Sequence, residues 1–176
     1  MENINHNFRG IYRDILKEPG RGIVFDSGWN SNTIVVQGRM LIAGLISRDS
    51  TSGVQHLAVG QGDPSWDNGS IPATDPLTTT SLVNGYSPEI DHNALDYTYL
   101  NESGEPAAGP TNRLQISATL GVGYPEVQED TSTYPLREFG LFGKHGEEFY
   151  MINCIRHPVI HKGENATLIR TVQLFF

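Results

Sequence analysis

Apolar and polar side chains alternate strictly along two stretches in the second half of this chain. Leu95, Tyr97 and Tyr99 alternate with Asp96 and Thr98; Leu114, Ile116, Ala118 and Leu120 alternate with Arg113, Gln115, Ser117 and Thr119. A period of two sends successive side chains to opposite faces of an extended backbone. Each stretch therefore reads as a strand with one buried and one wet face, the habit of antiparallel sheets. Further apolar stretches at 136–142, 149–155 and 168–176 read as strands too. Lys144-His145-Gly146 makes a short turn, so the strands around it are expected to form a hairpin. His161-Lys162-Gly163-Glu164-Asn165 is expected to do the same before the last strand, with a solvated side chain at His161 beside the turn lysine Lys162.

The first half reads differently. Phe8, Ile11, Tyr12, Ile15 and Leu16 recur at helical spacing, with Arg9, Arg13, Asp14 and Lys17 on the other side. Asn5 or Asn7 is placed to cap such a helix and Pro19-Gly20 to stop it. A helix this short needs a partner, so its apolar stripe is expected to dock on the main domain or on a neighbouring subunit. Residues 21–32 read as a short strand followed by turn chemistry, and 33–48 as a second helix. Gly38 and Gly44 weaken that helix by about 1 kcal/mol each but permit close backbone contact. Residues 54–59 read as a buried strand, and Gly, Pro, Ser, Thr and Asp mark long loops near 61–80 and 101–111. The expectation is an α+β domain with an antiparallel sheet or small β-sandwich in the second half, an N-terminal helix and one further helix. Residues 1–20 would be a helical arm and 21–176 a single domain.

Candidate chemistry is sparse. A net charge of −8 with no basic run offers no footprint for nucleic acid. The single cysteine, Cys154, excludes an intrachain disulfide and sits among apolar neighbours, as a small hydrophobe in a strand. Met1-Glu-Asn-Ile-Asn-His lacks the pattern of a signal peptide, and no apolar run approaches the roughly 20 residues that cross a bilayer. A soluble protein made in a reducing cytosol is expected. Gly60-x-Gly62 lacks the third glycine of a dinucleotide turn, and Asp63-Pro64 follows it. His157 and His161 are four apart in an extended segment around Pro158, which is not the spacing of a helical metal pair. Ser27 and Ser65 lie in no nucleophile-elbow pattern. No catalytic residue, metal or cofactor is expected. Two hypotheses remain at particular side chains. Trp29 and Trp66, with residues 63–80, are placed to stack on a sugar. The charges that interrupt the late strands must pair if buried, and Glu138–Arg170 is the expected bridge.

The last third carries a distinctive phrase. Leu136-Arg137-Glu138-Phe139-Gly140-Leu141-Phe142, a hairpin, Met151-Ile152-Asn153, a lysine turn and a closing strand together resemble the phage tail-collar fibre domain. Upstream, Gly38-Arg39-Met40-Leu41-Ile42-Ala43-Gly44-Leu45 is similar to that family's early helix, and His56-Leu57-Ala58-Val59-Gly60-Gln61-Gly62 to its strand and G-x-G turn. The resemblance implies a structural part of a phage contractile tail or a related contractile injection system: a baseplate or collar adaptor, or a tail-fibre attachment protein. It also implies other tail, baseplate or fibre proteins as partners, a homo-oligomer (a trimer or sixfold ring) in the particle, and no membrane insertion. Synthesis in a bacterial cytoplasm and residence in a virion tail or injection particle follow from it. The alternative is a carbohydrate-recognition module built on the two tryptophans.

Overall fold

A computed structural model describes residues 8–128 and 131–176. Strands hold 51% of the described residues and helix 12%, so the domain is mostly β and the expected α+β architecture is incorrect. The strands are β1 (Arg9–Glu18), β2 (Gly22–Asp26), β3 (Asn30–Ile34), β4 (Thr51–Gly60), β5 (Ile90–Asp91), β6 (Leu95–Tyr99), β7 (Arg113–Leu120), β8 (Thr133–His145), β9 (Glu148–Met151), β10 (Asn153–Gly163) and β11 (Thr167–Phe175). Among the described residues the one α-helix is α1 (Val36–Ser47), and short 3-10 turns lie at Pro64–Asn68 and His92–Ala94.

The expected N-terminal helix is strand β1. Gly10, Tyr12, Asp14 and Leu16 point inward, while the residues between them face outward. A glycine and an aspartate occupy two of the inward positions. The apolar residues therefore draw on both faces of a strand, and their spacing imitates a helix. Nor is this segment an arm. β1 pairs with β11 from Arg9↔Phe175 to Lys17↔Thr167, and with β2 and β3 along its other edge. The suggested caps Asn5 and Asn7 lie outside the described residues.

The strands follow the order β5-β4-β8-β10-β3-β1-β11-β7-β6, with β2 added to β1 and β9 to β8. The two ends of this order, β5 and β6, are consecutive in sequence across the His92–Ala94 turn, so the sheet curls into a nearly closed barrel. Side chains from facing strands fill it. Tyr12 of β1 meets Phe139 of β8 edge to face with ring centroids 5.5 Å apart, among Leu57, Val59, Ile116, Leu141, Leu168 and Val172. The hairpin at Lys144-His145-Gly146 forms, with His145 opposite Glu148. The one expected at 161–165 does not. β10 pairs with β8 and β3, β11 pairs with β1 and β7, and the connection carries the chain from one part of the sheet to another.

β8 is covered on both faces. Behind it, Ala58, Phe142, Met151, Cys154 and Val35 form a second, smaller cluster closed by Leu82 from the long 61–89 connection. Cys154 is 1% exposed there, and burial pushes its thiol up from the usual range.

Candidate interaction surface

α1 packs on the sheet through two glycines and Leu41, which joins the main core. Gly38, Leu41 and Gly44 are its buried positions. A Cβ at Gly38 would lie 2.5 Å from the carbonyl oxygen of Ile152, and one at Gly44 would strike the Thr51 side chain. The helix axis therefore approaches the strands closely at both glycines, and while Leu41 turns inward and Ile42 is half-buried, the other large apolar residues turn outward: Met40 is 50% exposed, Leu45 49% and Ile46 79%. An apolar outer face on a surface helix departs from the usual arrangement, in which the hydrophobic stripe is confined to the side that docks. The helix ends cleanly before that face is lost, because Arg48 takes the left-handed conformation (φ 61°) and the Asp49 N–H donates to the Gly44 carbonyl at 2.9 Å.

Beside α1 runs a groove of about 210 Å³ lined by Phe8, Leu41, Leu45, Tyr97, Leu114 and Phe176 among others. Phe8 and Phe176 stack across the chain termini with centroids 4.8 Å apart. Helix face and groove share Leu45 and form a continuous apolar patch, the kind of surface that marks a contact site in soluble proteins. Of the residues expected to dock as an N-terminal stripe, only Phe8 belongs to it. Tyr12 and Leu16 are in the core at 7% and 6% exposure, and Ile11 and Ile15 are half-buried on the opposite face of β1.

The charges of the late strands are buried, but their partners differ from expectation. Arg170 donates through Nε and Nη2 to both carboxylate oxygens of Asp14, at 2.7 and 2.9 Å, and its guanidinium carbon lies 3.7 Å from the Phe139 ring centroid. Glu138 does not meet Arg170, because β8 and β11 are not neighbours in the sheet. Its Oε1 instead accepts from the Asn84 N–H at 2.8 Å. Arg137 forks onto Asp67 at 2.8 and 2.6 Å and donates to the Gln61 carbonyl at 2.8 Å. That hydrogen bond to Arg137 holds the Asp67 carboxyl below its usual range. Adjacent charges of β8 thus clamp the two ends of the 61–84 connection over the second cluster.

Lys162 is likewise no solvated turn residue. It is 1% exposed, its Nζ donates to the Gly121 carbonyl at 2.8 Å, and burial pushes its pKa down to about 8. Trp66 is 9% exposed, with the Arg156 guanidinium 5.2 Å from its ring, whereas Trp29 is 45% exposed in the β2–β3 turn. Trp66 thus presents its ring to Arg156 in the interior and not to a ligand in solvent. Ser27 Oγ accepts from the Asp14 N–H and donates to the Gly28 carbonyl, holding a turn. Among the described residues no group of three His, Cys, Asp or Glu side chains is placed to hold a metal ion.

His157 completes the Arg170 network. Its Nδ1–H donates to the Pro158 carbonyl at 2.8 Å, leaving Nε2 to accept from Arg170 Nη2 at 2.8 Å. Burial, reinforced by the Arg170 charge and opposed by Asp14, lowers its pKa from 6.5 to about 4. The unfolded chain takes up this proton near pH 6.5 and the native chain only near pH 4. Titration of His157 therefore leaves stability unchanged above pH 6.5, and stability falls as pH drops towards 4, by about 3 kcal/mol in total. Urea midpoints across that window are expected to fall more steeply for the natural chain than for a His157→Gln variant.

Comparison with protein-family models, curated proteins and solved structures found no match to this chain.

Proposed function

We propose that this chain is a non-enzymatic assembly component of a contractile tail or tail-like injection particle, acting as a baseplate or collar adaptor or as a tail-fibre attachment protein. The observation that carries the reading is the exposed apolar face of α1. α1 buries its glycines and presents Met40, Leu45 and Ile46 to solvent. A neighbouring subunit that covers this face and the adjoining groove would remove that apolar surface from water, which is the main favourable term in most subunit contacts.

The resemblance to the tail-collar domain supports the finer reading. The segments that carry it, Gly38 to Leu45, His56 to Gly62, Leu136 to Phe142 and Met151 to Asn153, are distant in sequence but form one packed unit: α1 rests on β4, β8 and β9. Within it Gly38 fits against Ile152, and Gly140 fits against the Asn153 carbonyl. The family-like glycines are thus spacing residues of a structural module, which is a reason for their pattern that needs no catalysis. The partners under this reading are other tail, baseplate or fibre proteins and further copies of the chain in the particle.

The test is Ile46→Lys. The position is exposed, and a cation in the last turn suits the helix dipole, so stability is expected to stay within about 0.5 kcal/mol of the natural chain. Docking is expected to weaken about a hundredfold, because the ammonium would be buried against an apolar partner. Particles purified from cells carrying the variant should lack the protein. Incorporation at the natural level would refute the reading.

A further inference from the structure

A second cleft, of about 370 Å³, opens where the 61–89 connection meets β4, β8 and β9, and is lined by His56, Tyr86, Ser87, Glu89, Phe142 and Phe149 among others. Its walls are aromatic and meet at a corner. The His56 ring stacks on Phe142 at 4.9 Å with 18° between planes, and Phe149 stands edge-on to His56 at 4.8 Å and 74°. Phe149 is 54% exposed, so part of its ring is open to an incoming group. The imidazole of His56 is held below its usual range by burial, against the opposing pull of Glu89 and Asp91, and is uncharged at neutral pH. Glu89 is then the one formal charge among the lining residues, and among the described residues it has no ion-pair partner.

Perpendicular π faces beside an unpaired carboxylate form an environment for an organic cation. The ring faces carry negative potential, and the carboxylate adds directional acceptors. Phe149 already serves a cation elsewhere: the Lys144 ammonium lies 6.0 Å from its ring centroid while pairing with Glu147 at 3.1 Å. Lys144 is thus neutralised by its own carboxylate and does not occupy Glu89. A planar guanidinium fits better than an ammonium, because it can stack on a ring and fork onto a carboxylate at once.

We propose that this cleft receives an arginine side chain from a partner polypeptide, stacked in the His56–Phe142–Phe149 corner with its guanidinium on Glu89. The inference does not depend on which particle the chain belongs to, and the cleft uses none of the α1 face. It is tested by titrating the isotopically labelled full chain with Nα-acetyl-arginine amide and following amide resonances by NMR. Saturable shifts are expected at Gly85, Glu89 and Phe149. Nα-acetyl-citrulline amide, the same shape without the charge, is expected to give none at the same concentrations. Glu89→Gln should weaken arginine binding about tenfold and Phe149→Leu about threefold, with the rest of each spectrum unchanged. Equal binding of the citrulline probe, an absence of saturable shifts, or full affinity in Glu89→Gln would overturn the proposal.

Discussion

A chain lacking residues 1–19 is expected to show no cooperative unfolding transition. β1 lies inside the sheet, with β11 on one edge and β2 and β3 on the other. Its removal takes Tyr12 and Leu16 out of the core, each a loss of about 1.5–3 kcal/mol from burial alone. It also strands the fully buried Arg170 without Asp14, at a further 3–5 kcal/mol. β11 keeps only β7 as a partner. Together these losses reach the whole stability of an ordinary domain, about 5–15 kcal/mol. Far-UV circular dichroism during heating checks this: a broad, featureless trace is expected, and a sharp transition would show that β1 is dispensable.

Replacing Asp14 alone is expected to cost about 3–5 kcal/mol, and to lower the melting temperature by roughly 10 °C or more for a domain of this size. The pair is 0–1% exposed at both side chains, so no solvent replaces the missing carboxylate. In Asp14→Ala the guanidinium would keep Phe139 below it and the neutral His157 beside it, but no counter-charge. The double variant Asp14→Leu with Arg170→Met removes both charges and should recover most of the loss, since an apolar pair of similar volume needs no desolvation of ions. Urea midpoints of the natural chain, Asp14→Leu, Arg170→Met and the double variant give the cycle. Additive losses in the double variant would mean that the two residues are not coupled as the geometry requires.

Asp14 also explains why part of the fold is hidden in the sequence. A strand announces itself by alternation, and β1 breaks that signal by turning a charged residue and a glycine inward at Asp14 and Gly10. The aspartate is tolerated only because Arg170, more than 150 residues away, meets it, and nothing local reveals such a partner. β7 is legible because it buries Ile116, Ala118 and Leu120 and turns Thr119 outward, and the turn at Gly146 closes by local chemistry. β6 buries only Leu95, and Tyr97 and Tyr99, read as its buried face, are 43% and 40% exposed. The connection after Lys162 is not legible, because a turn sequence says that the chain reverses but not which strand it returns to.

The candidate interaction surface is half legible. Apolar residues surround α1 in sequence, at Met40, Leu41, Ile42, Leu45 and Ile46. Which of them faces water is decided by Gly38 and Gly44 seating the helix against Ile152 and Thr51, a tertiary fact. The aromatic cleft has no local signature at all. His56, Glu89, Phe142 and Phe149 arrive from separate segments and become neighbours only through the pairing of β4 with β5 and β8, and of β8 with β9. The phrase around Phe139 is the opposite case. Its pattern of apolar, charged and glycine positions is legible in full, and its meaning becomes clear once β8 is seen to be buried on both faces, with Arg137 and Glu138 holding the connection that covers it.

The outer face of α1 is proposed as a subunit contact. Photo-cross-linking tests it most directly, with a benzophenone side chain at position 46 of the full chain in the assembled particle. A cross-linked product between this chain and a neighbouring subunit is expected, lost when the particle is dissociated before irradiation. Incorporation of the labelled chain with no cross-link from position 46 would contradict it.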